Sequence, residues 1–187
     1  MIVAFQRPGN CSAALIGLVL AFGFTADVCR GQEPAPEYAV KAAFIYNFTQ
    51  FITWPADAFT SADAPFIVAI VGNDPFKGAM DRAMEGKSAG GRPITVKHFA
   101  SADQIGPCHL LFVPAEMDDS LSQIMDKTHN HPVLTVGESD RFSPAGGGMR
   151  FYIEDGKVRF EIDPDVIDAA RLKVSAKLMK LARIWKR

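Results

Sequence analysis

Cysteine is scarce in this 187-residue chain, and its placement makes it scarcer still. Cys11 and Cys29 fall in an N-terminal segment that reads as removable, which leaves Cys108 alone. One cysteine cannot close an internal disulfide, so stability has to come from packing. Cys108 reads as a free thiol, a small buried apolar residue beside a strand; an intermolecular bridge is the alternative. A surplus of charge is missing too. Twenty Lys and Arg stand against 21 Asp and Glu, a net charge of −1. That balance gives no electrostatic footprint for nucleic acid and no polybasic case for a membrane surface. Internal repeats, long linkers and low-complexity tracts are absent. The longest apolar run falls short of the ~20 residues that a membrane-spanning helix needs.

What is there begins with a leader. Met1 to Asn10 carries one arginine, Arg7. Ala13 to Phe24 is apolar apart from glycine, and a more polar stretch reaches Gly31. This is the order of a secretory signal peptide over residues 1–31. Small residues at Cys29 and Gly31 favour cleavage before Gln32, with cleavage after Ala26 as the rival. A lipoprotein reading lacks the residues expected before Cys29. An uncleaved anchor is the other reading of the leader. Losing Arg7, Arg30 and Asp27 takes the net charge to −2 and leaves 156 residues, enough for one domain with a real core.

The next segments alternate in type. Tyr38 to Thr53 reads as a helix whose apolar face is Val40, Phe44, Phe48, Phe51 and Ile52, with Tyr46 and Gln50 opposite. Trp54 precedes Pro55, which should end it. Phe66 to Val71 is apolar throughout, as in a strand buried on both faces. Gly72-Asn73-Asp74-Pro75 supplies a turn, an N-cap and a first-turn proline for a helix to about Glu85. Strands are expected at Pro93–Phe99, Cys108–Val113 and Val133–Val136, with a helix at Asp118–Lys127. Met149 to Ile162 alternates in period two around Asp155-Gly156, the signature of an antiparallel hairpin. Asp163-Pro164 should cap a long last helix with Ile167, Ala170, Val174, Leu178, Leu181 and Trp185 buried. The expected fold is therefore α/β: a single domain over residues 38–186, a mostly parallel central sheet flanked by helices, a C-terminal antiparallel hairpin and that long last helix.

Chemistry is hard to find. His129 and His131 flank Asn130 before a strand and read as turn histidines rather than a metal pair. Cys108 and His109 are adjacent in a strand and point to opposite faces. There is no G-x-S-x-G elbow, and Gly146-Gly147-Gly148 lacks the Lys-Ser/Thr of a phosphate loop, so it reads as a flexible lead into the hairpin. No side chain stands out as a catalytic acid, base or nucleophile. The expectation is a protein that is not an enzyme and holds no cofactor or metal. Gly72, Asn73 and Asp74 sit where a buried strand meets a helix N-terminus, the usual ligand crevice of α/β sheets. With Arg150 and Glu161 they form the candidate ligand pocket. Leu172 and Met179, seven residues apart and off the buried stripe, join Tyr46 as candidate partner-binding residues.

Several stretches carry more when taken together than singly. They are Val40-Lys41-Ala42-Ala43-Phe44-Ile45-Tyr46-Asn47-Phe48 with Phe51 and Trp54-Pro55, Val71-Gly72-Asn73-Asp74-Pro75-Phe76, Cys108-His109-Leu110-Leu111-Phe112-Val113 and Leu134-Thr135-Val136. The close adds Gly147-Gly148-Met149, Gly156-Lys157-Val158-Arg159-Phe160-Glu161-Ile162, Leu172-Lys173-Val174-Ser175-Ala176-Lys177-Leu178 and Leu181-Ala182. Together these stretches resemble the YfiR/HmsC-like family of periplasmic proteins, and the resemblance runs from about Tyr38 to Trp185. It implies a periplasmic, homodimeric repressor that binds the periplasmic sensor portion of an inner-membrane diguanylate cyclase. Such a repressor lowers cyclic-di-GMP output and biofilm formation, and a small-molecule effector could tune it. Asp163 stands where the family usually has Asn and keeps the capping role. Family disulfides cannot form here, because Cys108 matches a family cysteine without a partner. The alternative is a stand-alone periplasmic small-molecule binder.

Overall fold

The computed structural model describes residues 35–186, so the expected signal peptide lies outside the described residues. The first helix, α1, is Ala35–Phe51 and runs into a two-residue strand, β1, Ile52–Thr53. Its buried stripe is not the expected one. Lys41, Ala42, Ile45, Phe48 and Thr49 face inward, Phe44 and Phe51 are half-buried, and Val40 is exposed. Lys41 turns in toward an acid at the sheet edge, and the stripe follows it at spacings of three and four.

Next come β2 (Phe66–Val71), α2 (Ala79–Met84), β3 (Ser88–Ala89) and β4 (Arg92–Phe99). The expected helix from Pro75 is cut back to Ala79. Asp74 accepts from the backbone N–H groups of Phe76 and Gly78, and Lys77 and Gly78 both take positive φ, which leaves the helical path. Then follow β5 (Leu110–Val113), a 3-10 turn over Ala115–Ser120, α3 (Leu121–Thr128) and β6 (Leu134–Gly137).

The hairpin forms where the alternation put it, as β7 (Met149–Glu154) and β8 (Lys157–Ile162). Glu154 opposes Lys157, and Asp155 and Gly156 both have positive φ, as a two-residue loop of this hand requires. It does not close the chain. The long last helix is replaced by four short pieces: α4 (Pro164–Ala169), β9 (Lys173–Val174), α5 (Ala176–Met179) and β10 (Arg183–Ile184). Asp163 caps α4 by accepting from Asp165 and Val166. The far end is a Schellman closure: Leu172 N–H donates to Ile167 O, and Arg171 N–H to Asp168 O, with Arg171 left-handed at φ 59°. Ser175 then caps α5 through Leu178 N–H.

The main sheet has the order β10-β8-β7-β6-β5-β2-β4-β3. Five of its seven neighbour pairs are parallel, and the antiparallel ones are β7–β8 and β3–β4. Inside it, β4-β2-β5-β6-β7 repeats the doubly wound order of flavodoxin-like sheets, with its switch point between β2 and β5. β1 and β9 pair separately, Ile52 opposite Val174. No helix among the described residues is long and apolar enough to cross a membrane.

Two cores cover the two faces. On one, Phe66, Val68, Ile70, Leu110, Phe112, Leu134, Val136, Met149 and Phe151 pack against α1 and α2. Phe48 stacks on Phe151 with centroids 5.7 Å apart and meets Phe160 edge-on at 5.1 Å. On the other face, Ala69, Val71, Leu111 and Val113 pack under Leu121 and Ile124 of α3. Phe142 closes this second core by lying between two glycines. A Cβ on Gly137 or Gly147 would come within 2.3 or 2.1 Å of its ring. The glycine run is therefore a slot for an aromatic ring, not a flexible lead into the hairpin.

Candidate functional site: the carboxyl edge of the sheet

The switch point between β2 and β5 is filled by the chain itself. Gly72 leaves β2 at φ +82°, and a Cβ there would sit 2.8 Å from Met117 Sδ. Glu116, from the turn after β5, accepts from the backbone N–H of Asn73 at 2.7 Å and from its Nδ2 at 3.1 Å. Asp74 is engaged in its own turn. Arg150 and Glu161 are elsewhere, on β7 and β8, with β5 and β6 intervening in the sheet. The expected pocket thus divides into two places, and its Gly72-Asn73-Asp74 half is occupied by a side chain of the protein.

Arg150 and Glu161 do meet, as cross-strand partners. Glu161 is 1 % exposed and holds four donors. Arg150 Nε reaches Oε1 at 2.7 Å and Ser143 Oγ the same oxygen at 2.9 Å. Arg183 brings Nε and Nη2 to Oε2 at 3.0 and 2.6 Å. Burial by itself would raise the Glu161 pKa, but the hydrogen bonds from Arg150, Arg183 and Ser143 outweigh it and hold the carboxyl below its ordinary range. Arg150 and Glu161 are the buried pair, and removing Arg150 strands the Glu161 charge at about 3–5 kcal/mol. The arrangement ties β10 to β8, and Arg183 also stacks over Tyr152 at 3.9 Å.

A second charged group stands at the ends of β6 and β7. Lys41 is 4 % exposed and pairs with Glu138 at 2.6 Å and Glu37 at 2.5 Å. Tyr38 hydroxyl donates to Glu138, and Lys41 Nζ lies 4.5 Å from the Tyr38 ring. Burial and the Glu138 charge push the Tyr38 phenol up to about 12. Arg150 reaches outward from its own pair to the fully exposed Asp140. These residues line one cleft of about 400 Å³, walled also by Tyr152 and Ile153. Sequence reading missed Lys41 and Glu138. Lys41 sits in a helix beside aromatic residues, and only its spacing with Ile45 and Phe48 on the inward stripe could have flagged it.

The partner candidates fare unevenly. Leu172 is 2 % exposed and belongs to the main core, because the chain after α4 dives under α1 instead of continuing as a helix. It is not a surface residue. Tyr46 and Met179 are half-buried against the same core, and Lys87 Nζ stands 5.4 Å from the Tyr46 ring. The exposed large apolar side chains are Val40, Ile153, Leu181 and Ile184. Leu181 was expected in the buried stripe, and Trp185 is half-buried. Cys108 is half-buried, and burial pushes its thiol up to about 12, which suits an inert packed sulfur. Among the described residues one group has converging metal-ligand atoms: Asp74, Asp81 and His98, within 4.8 Å of one another. Asp81 and His98 are exposed, and the Asp74 carboxylate is already spent on its turn.

His109 was set aside as half of an unworkable nucleophilic pair. The structure makes it a knot at the amino end of the sheet. Ile67 N–H donates to Nδ1 at 2.9 Å, Nε2 stands 3.2 Å from Ala58 O, and Trp54 Nε1 donates to the His109 carbonyl at 3.0 Å. The ring stacks on Phe59 and Phe66 at 4.4 and 5.0 Å. These bonds define the neutral tautomer with its proton on Nε2.

The doubly wound sheet with an appended hairpin and a buried ionic edge defines an α/β domain of flavodoxin-like strand order. Compared with known families, the chain matches the YfiR/HmsC-like model over residues 38–183, and it belongs to that family. No curated protein shows significant similarity to it.

Proposed function

We propose that this protein is an exported periplasmic negative regulator in cyclic-di-GMP signalling. It binds the periplasmic sensor portion of an inner-membrane signalling protein, a diguanylate cyclase before others, and restrains biofilm formation. The observation that carries the reading is the family match across residues 38–183. The signal-peptide pattern of residues 1–31 supports the compartment, and homodimerisation is part of the proposal. Repression works by preferring the inactive sensor. Shifting that equilibrium from 1:99 to 99:1 takes ~5.5 kcal/mol of differential affinity. Among the described residues the exposed Val40, Ile153, Leu181 and Ile184, with the half-buried Tyr46 and Met179, are the apolar groups open to a partner.

The test is cellular cyclic-di-GMP in a deletion strain, its parent and a complemented strain. A rise on deletion, reversed by the exported protein, is expected. Unchanged levels while the protein is expressed would sink the cyclase reading.

A further inference from the structure

We propose that the cleft at the carboxyl edge of the sheet binds a small carboxylate or phosphate anion between Lys41 and Arg150, displacing the Asp140 carboxylate. The site is independent of the regulatory partner. The cleft opens beyond the carboxyl end of β6, where the parallel β7 begins at Met149 and Arg150 and runs on past it, and its volume of about 400 Å³ is of ligand size. Its inner wall holds two cationic side chains, Lys41 and Arg150, only 5 and 9 % exposed. Burying a lysine and an arginine is costly, and each is held from within by an acid: the half-buried Glu138 for Lys41 and the buried Glu161 for Arg150.

Their outer partners differ in kind. Asp140 is fully exposed and Glu37 is 41 % exposed. Exposed carboxylates hold their partners weakly and can turn back into water without breaking the fold. Arg150 Nη1 is then released to an incoming oxyanion, and among the described residues no acceptor stands on Nη2. Lys41 has three donors and two acid partners. A planar carboxylate or a phosphate oxygen suits that fork.

The exported protein, purified from cells, is titrated calorimetrically with succinate and, separately, with inorganic phosphate, at constant ionic strength set with chloride. Saturable binding of one or both is expected, and which one binds identifies the head group. Asp140→Asn removes the internal competitor at an exposed position and should tighten binding roughly two- to fivefold. Lys41→Met, checked for an unchanged circular dichroism spectrum, should abolish it. No heat from either anion with wild type and Asp140→Asn overturns the proposal, as does binding that Asp140→Asn leaves unaltered. Because no signalling partner is present, a negative result here leaves the regulator reading standing, and a negative deletion phenotype leaves this site standing.

Discussion

His109 shows how much one side chain can hold when both ring nitrogens are used. It joins β2, β5 and the 55–59 turn and is stacked on two rings. Burial lowers its pKa first, the Ala58 carbonyl bond pulls it back up, and the Arg92 charge lowers it again; the net shift is downward from 6.5. Between the folded pKa and 6.5 the unfolded chain binds more protons, so stability is lost as pH falls through 6.5 and levels off below the folded value. Denaturant midpoints should therefore drop as the buffer is taken from mildly alkaline to mildly acidic. His109→Gln should be less stable overall and show a shallower pH dependence. An unchanged slope in the variant would mean that another group carries the effect. Glu161 adds a separate loss in stronger acid, since its pKa is depressed and its stabilisation disappears as pH falls through the folded value.

At the scale of elements, the break after α4 matters most. The periodicity of residues 164–185 fits one amphipathic helix, yet the chain turns at Arg171 through a left-handed residue where glycine is the usual choice. A side chain in that region costs about 1–2 kcal/mol. Glycine there would relieve that strain, less some unfolded-state entropy, and forfeit only the exposed pair with Asp57. Arg171→Gly should accordingly raise stability by about 0.5–1 kcal/mol. A thermal melt shows it as a higher midpoint; a fall would mean that the Asp57 pair or the Arg171 stem matters more than the backbone.

The whole molecule is a doubly wound centre with a border added to it. β2, β5 and β6 are paired on both sides and covered on both faces. β10 is a two-residue edge strand held to β8 by short pairing and the Arg183–Glu161 contact. Native-state hydrogen exchange should follow this gradient, slowest at Val68–Ile70 and Leu111–Phe112 and fastest at Arg183–Ile184. Equal protection at both places would show that the border and the centre open as one unit.

Strand positions were legible in the sequence wherever local pattern and burial agree. Phe66–Val71 is apolar on both faces because both faces are covered, and Met149–Ile162 alternates because one face of the hairpin is not a core. The Asp155-Gly156 loop and the Asp163 cap are set by residues a few positions apart, so the chain alone determined them. The candidate site was only half legible. Arg150 and Glu161 were singled out, but their partners Ser143, Arg183 and Asp140 come from other segments. Lys41 and Glu138 are 97 residues apart, and only folding makes a buried pair of them. Gly72 and Asn73 looked open because Glu116, which fills their crevice, arrives from the far side of the switch point. Leu172 looked peripheral on a helical wheel that the chain does not follow. Local dihedral preference and hydrophobic period were enough for the main strands and the hairpin, but not for the chain after Asp163, where the expected helix gives way to four short pieces. Which acid meets which base, and which apolar face is covered, depended on contacts between distant segments that only the packed sheet supplies.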